Sequence, residues 1–198
     1  MVALEGEELR LHIFGPRYKK LIRECMEHHY TFGIPPVIHE ELGLNGAEIQ
    51  LLKIEKTYPA GEMDIVCKVI QRFEILEVFE AEDKNTAATA LVSTLPFANN
   101  EDKELNLRLL DLLQQVYNLS ETPVLHPVSS GDSIFQYVHK CGLSLEKEEE
   151  LACLQTASER QLYLLNHLKN LVITMEEIQK MKQLIQRNGH FKKINQSF

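Results

Sequence analysis

The residues best suited to chemistry in this chain are its eight histidines and four cysteines, and their spacing argues against a reaction centre. Zinc needs His and Cys at short, defined intervals so that four ligands can converge. His28 and His29 are adjacent, so on a helix their rings point in different directions. They read as surface groups at a helix end. His139 and Cys141 stand two apart, an equally poor ligand geometry. His12 lies among Leu11, Ile13 and Phe14 and reads as a buried, hydrogen-bonded histidine rather than a base. Cys25, Cys67, Cys141 and Cys153 form no Cys-x-x-Cys pair and read as buried, reduced thiols. No metal and no cofactor is expected.

The remaining reaction patterns are also missing. No Gly-Lys pair exists, which removes the phosphate loop of ATPases, and no Gly-x-Gly-x-x-Gly occurs for a dinucleotide. Ser129-Ser130-Gly131 does not match the nucleophile elbow of a serine hydrolase. The pairs Glu7-Glu8 and Glu40-Glu41 read as surface carboxylates. No catalytic residue is identified, and a non-enzymatic binding module is expected.

Charge narrows the partners. Twenty-nine acidic residues against 21 basic ones give a formal net charge of −8 over 198 residues. The densest charge run, Glu146-Lys147-Glu148-Glu149-Glu150, is mostly acidic. A phosphate backbone requires a basic stripe, so nucleic acid is disfavoured. The N-terminus lacks the basic-then-apolar pattern of a signal peptide, and no stretch reaches the roughly 20 apolar residues of a membrane span. A cytoplasmic protein that does not enter membranes is expected.

The elements that would position these residues fall into two regimes. Pro16 opens a helix whose Tyr18, Leu21, Ile22 and Cys25 share one face, running to about His29. Ile49 to Ile54 and Met63 to Ile70 read as strands of a hairpin joined by Tyr58-Pro59-Ala60-Gly61-Glu62. Phe73 to Phe79 is predicted as a third strand and Thr86 to Leu95 as a fourth, a spacing that suits a small barrel or curled sheet. After Pro96-Phe97-Ala98-Asn99-Asn100 the pattern turns helical: Leu105, Leu109, Leu112, Leu113 and Val116 form one stripe. Pro123 and Pro127 bound a loop, and Ser130 to Ser133 cap a short helix ending near Gly142. Ser144 caps the acidic run, and Ser158-Glu159-Arg160-Gln161 has capping-box spacing. Leu164, Leu168, Leu171, Met175, Ile178, Met181 and Ile185 fit one long helix, with a restart allowed near Val172 to Thr174 and a stop at Asn188-Gly189. The last residues, through Phe198, are expected to fray. Domain limits of 1–97 and 101–198 follow.

One segment carries a family signal. Leu9-Arg10-Leu11-His12-Ile13-Phe14-Gly15-Pro16-Arg17-Tyr18 resembles the Leu-Pro-Leu-His-Ile-Phe-Glu-Pro-Arg-Tyr pattern of the Lon substrate-binding domain. That is the N-terminal domain of Lon proteases, also found free-standing in bacteria. Phe32-Gly33-Ile34, Gly46-Ala47-Glu48-Ile49 and Gly61 through Gln71-Arg72-Phe73 follow in the family's order, and Asn188-Gly189-His190-Phe191 looks like the end of free-standing members. Glu5, Arg10, Gly15 and Val69 depart from the pattern. Family members also carry a further apolar strand ahead of the position of Ala3, most of which is not seen here, so an uncovered sheet edge is expected.

The resemblance implies an α+β fold: a PUA-like β pseudo-barrel with one helix, then a C-terminal α-helical bundle that includes a long helix. It implies binding of unfolded or damaged polypeptides, or an adaptor role in proteolysis, without the Lon ATPase and Ser-Lys protease parts. Unfolded or partly folded polypeptide, with a protease or chaperone beside it, is the implied partner, and an oligomer is allowed. The alternative is an RNA-binding PUA-like module. His12, Phe14, Pro16, Arg17, Tyr18, Arg72 and Phe73 are read as structural: Leu11, Ile13 and Phe14 in the core, Pro16 setting the start of the helix, Arg17 and Tyr18 bridging barrel and helix. The segment Thr31 to Leu44, with Ile34, Pro35, Pro36, Val37 and Ile38, sets apolar residues beside prolines that cannot complete a ladder, and so forms either a peptide-binding lip or a loop packed on the barrel.

Overall fold

A computed structural model describes residues 2–79, 81, 83, 85–120 and 128–194, with side chains described to residue 186. The loop expected between Pro123 and Pro127 and the end through Phe198 lie outside the described residues. The chain is mixed α and β. Strand β1 (Glu8–Ile13) leads to helix α1 (Pro16–His28), then strands β2 (Thr31–Ile34), β3 (Val37–Ile38), β4 (Glu41–Leu42), β5 (Asn45–Thr57), β6 (Met63–Phe79) and β7 (Thr89–Leu95). Helix α2 (Lys103–Leu119), a 3-10 segment at Ile134–Lys140, α3 (Leu145–Cys153) and α4 (Ala157–Ile194) follow.

The chain divides into two compact units. The first holds Met1–Ala98 and Leu143–Gln155; the second holds Asn99–Gly142 and Thr156–Phe198. A single cut near residue 98 therefore does not separate them, because the acidic helix α3 groups with the strands.

In the first unit the main sheet is antiparallel, in the order β1-β6-β5-β2, with β7 also on β6. The order has open ends: β1 and β2 do not pair among the described residues, so the closed barrel expected from the resemblance is absent there. The predicted second and third strands are one. β6 runs 17 residues and holds β1 through Met63–Lys68, β5 through Met63–Glu74 and β7 through Arg72–Phe79. Its inward residues Met63, Ile65, Cys67 and Val69 alternate, as a half-buried strand requires. They pack with Ala3, Leu9, Ile22, Ala47 and Ile49, and each large apolar side chain fully withdrawn from water contributes about 1.5–3 kcal/mol. Pro16 opens α1, where no amide donor is lost, and His29 closes it in the left-handed region at φ 58°.

In the second unit α2 packs along α4 around Leu109, Leu113, Leu164 and Leu168. With α3 in the other unit, the expected bundle reduces to these two helices and the 3-10 segment. Asp102 caps α2 by accepting from the Leu105 amide at 3.0 Å, and the Gln161 amide side chain bonds both backbone groups of Asp102. That use of Gln161 corrects the expected capping box. The reciprocal pair is Thr156 and Glu159: the Glu159 amide donates to Thr156 Oγ1, and the Thr156 amide to Glu159 Oε2. Helix α4 is one long helix, as its spacing predicts, with no restart at Val172–Thr174, and it passes the expected stop at Asn188-Gly189 to reach Ile194.

Candidate functional site

The segment Ile34–Ile38 ends β2 and starts a small hairpin. Pro36 is buried, and its carbonyl accepts from the Gly43 amide at 2.8 Å. A side chain at Gly43 would meet Pro36 Cγ at 2.7 Å, so only glycine lets the two ends approach. Between them β3 and β4 pair Val37 with Leu42 and Ile38 with Glu41. His39 and Glu40 turn the chain with φ of 50° and 67°, the left-handed pair that a two-residue hairpin turn demands. His39 Nε2 donates to Glu146 Oε1 of α3 at 2.9 Å.

This geometry sorts the five lip residues. Pro36 is inside; Ile34 packs on the sheet core; Pro35 and Ile38 are half-buried. Val37 is 54% exposed, opposite Leu42 at 53%, with Leu44 beyond at 67%. Leu42 and Leu44 fall within the candidate segment Thr31 to Leu44 but are not singled out by the sequence reading. Their signal is the alternation Leu42-Gly43-Leu44 after a turn that carries no Gly, Asn or Asp.

Exposed apolar residues also occur on β6 and β7. The Leu44 carbonyl accepts from the Ile75 amide at 2.7 Å. Past that point β6 and β7 form a two-stranded ribbon on which Leu76, Val78, Phe79, Leu91 and Val92 are all exposed.

A second cluster gathers around the family segment. His12 Nδ1 donates to Asp64 Oδ1 at 2.7 Å, and the Tyr58 hydroxyl donates to Asp64 Oδ2 at 2.6 Å. These bonds, His12 first, hold the Asp64 carboxyl below its usual range. Phe14 stacks on the His12 ring at 6.3 Å, Tyr58 meets it edge-on at 5.7 Å, and Lys56 Nζ lies 4.3 Å from the Tyr58 centroid. His12 and Phe14 are both exposed, against the expectation that they are buried. The reason is the strand period: Leu9, Leu11 and Ile13 face the core, so Arg10, His12 and Phe14 face out.

The other family residues divide likewise. Pro16 starts α1, while Arg17 and Tyr18 are exposed, the guanidinium lying over the Tyr18 ring at 5.9 Å. Arg72 is 1% exposed; it donates to the Ala3 carbonyl at 3.3 Å and to Glu149 Oε1 at 2.8 Å. Phe73 is buried with its ring against Gly33 and Gly46, where any side chain would collide with it.

Among the described residues the cysteines are not placed as activated nucleophiles. Cys25, Cys67 and Cys141 are buried, and Cys153 is exposed against expectation. Desolvation, with Cys25 nearby, pushes the Cys67 thiol up to about 11, away from thiolate chemistry. Among the described residues no group of three or more His, Cys, Asp or Glu is placed to hold a metal ion.

The family model for the ATP-dependent protease La (LON) substrate-binding domain matches residues 2–188. The chain belongs to this family. Among solved structures, it is similar to the Lon N-terminal domain protein from Xanthomonas campestris, with a TM-score of 0.63 at 19% identity. That likeness covers 83% of this chain and 92% of the other, and it shows the Lon N-terminal fold. The N-terminal domain of Mycobacterium avium complex Lon protease is 16% identical, with a TM-score of 0.46 over 88% of this chain and 92% of that one. No curated protein matches. In this Lon-family domain the hairpin and ribbon are among the places where large apolar groups are exposed, while Arg72 and Phe73 of the shared pattern are buried. The RNA-binding alternative is not favoured by the family match. No helix among the described residues is long and apolar enough to cross a membrane.

Proposed function

We propose that this domain binds unfolded or damaged polypeptides and recruits them for proteolysis, using the apolar tip formed by Val37, Leu42 and Leu44. One observation carries the reading: three large aliphatic side chains, each more than half exposed, on a tightly braced hairpin in a member of a substrate-binding family. A rigid support matters, because ordering a loose loop on binding would cost affinity. Proline at 35 and 36 and the His39–Glu146 bond supply it. Ile34, Pro35 and Ile38 frame the tip, and Pro36 holds it from beneath. A protease or chaperone that takes over the captured chain fits the same role.

The test is titration of denatured casein. Binding in the micromolar range, about −8 kcal/mol, is expected. Leu42→Asp with Leu44→Asp should weaken it by about tenfold or more, roughly 1.4 kcal/mol, without changing the melting temperature, since both side chains already face water. Equal binding by the double variant would remove the hairpin from the site.

A further inference from the structure

The exposed edges of the main sheet are protected unequally. β1 carries Glu8, Arg10 and His12 along its length, and β2 is four residues long with a glycine inside it. Charge and brevity are the usual means of keeping an edge from pairing with foreign chain. β7 has neither. It reads Thr89-Ala90-Leu91-Val92-Ser93-Thr94-Leu95, seven residues without a charge or a proline. Among the described strands it pairs with β6 alone, and every residue but Leu95 is exposed. The irregularity in the β6–β7 ladder is an extra residue on β6, between Ile75 and Glu77, so the β7 register is itself continuous.

We propose that the free edge of β7 takes up an extended, uncharged polypeptide segment as an added strand. This rests on the reading that the domain binds polypeptide, and it specifies the conformation and the class of segment. The occupant follows from the edge. Alternate backbone N–H and C=O groups along β7 face away from β6, and a row of donors and acceptors at strand spacing is matched by another extended backbone. β7 carries no charge to pair with one on an incoming strand, whereas Leu91 and Val92 give aliphatic side chains apolar cross-strand neighbours. A foreign segment is favoured over a second copy of this chain, because each copy brings a formal charge of −8.

Amide hydrogen exchange on the full-length, isotope-labelled protein tests this directly. The probe is a synthetic peptide of alternating Thr, Val, Ser and Leu, compared with a twin carrying Asp at every second position. Saturation with the uncharged peptide should slow exchange at alternate amides of Thr89–Leu95 by at least about tenfold. The charged twin should leave them unchanged. Leu91→Lys with Ser93→Lys should abolish the protection. Peptide bound without slowing at β7 overturns the inference while leaving polypeptide binding intact. Protection that grows with protein concentration in the absence of peptide also overturns it, in favour of self-pairing. No binding of either this peptide or denatured casein overturns both readings. The exchange pattern of the unsubstituted protein decides the matter even if the lysine variant does not fold.

Discussion

Asp64 is a half-buried carboxylate that two neighbours hold in the ionised form, and that has a consequence for acid stability. Its folded pKa lies below its unfolded value of about 3.8. The contribution is therefore complete above that pH and is lost as pH falls through the lower folded value. Asp64→Asn should accordingly lower stability at neutral pH and flatten the fall below about pH 4, as read by urea unfolding from pH 7 to 2.5. Gly46 offers a steric counterpart. Alanine there would run into the Phe73 ring, so Gly46→Ala should cost about 1–3 kcal/mol in chemical denaturation, and pairing it with Phe73→Leu should recover part of the loss. At this scale the sequence was half legible. The outward face of His12 and Phe14 was available in the alternation of Leu9, Leu11 and Ile13, but apolar neighbours on both sides suggested a buried run instead. The match of Phe73 to two glycines more than 25 residues away was not readable, because nothing local records which ring fills a missing side chain.

Element boundaries turned on competition between nearby caps. Thr156 and Ser158 both stand before a helical run with an acceptor three residues on. Thr156 takes the cap because Glu159 completes the reciprocal bonds, leaving Ser158 to bond the backbone and side chain of Asn100. Thr156→Ala should therefore cost about 1 kcal/mol in thermal unfolding, within the range for a lost N-cap. The start of α1 and the cap of α3 were legible because Pro16 and Ser144 have no local rival: Ser144 Oγ accepts from the Lys147 amide at 3.4 Å. The fusion of two predicted strands into β6 was not. Gln71-Arg72 looks like a polar break, yet Arg72 is buried and the strand continues because tertiary partners satisfy the guanidinium. The passage of α4 through Asn188-Gly189 shows the same limit, since one glycine costs a helix only about 1 kcal/mol.

For the molecule as a whole, the main departure from the linear reading is that Leu143–Gln155 returns to the first unit. Arg72 and Glu149 show what this return accomplishes. Arg72 is almost fully enclosed, and Glu149 supplies its counter-charge across 77 residues of sequence. Arg72 Nε and Glu149 Oε2 have no protein partner, so the pair is not fully satisfied and removal of either member leaves a stranded charge. Glu149→Ala should cost about 3–5 kcal/mol, whereas Arg72→Met with Glu149→Leu should recover much of that in urea titrations. A fragment of residues 1–98 lacks the counter-charge altogether and should melt well below the full chain, or fail to give a dispersed amide spectrum. The family resemblance carried the mixed fold correctly. It could not indicate this re-entry, because an acidic helix such as Glu146 to Glu150 reads as a solvated face unless its buried partner is known.

The 17-residue β6 also imposes an order on synthesis. β1 leaves the ribosome well before its hydrogen-bond partners Met63 to Lys68, whereas β7 emerges after its own partners Arg72 to Phe79. β1 thus stays unpaired for about fifty residues of elongation, roughly several seconds at 5–20 residues per second. During that interval the nascent chain displays Leu9, Leu11 and Ile13 to whatever waits at the exit tunnel, so a protein proposed to handle unfolded chains is for a time a client of that same kind of care.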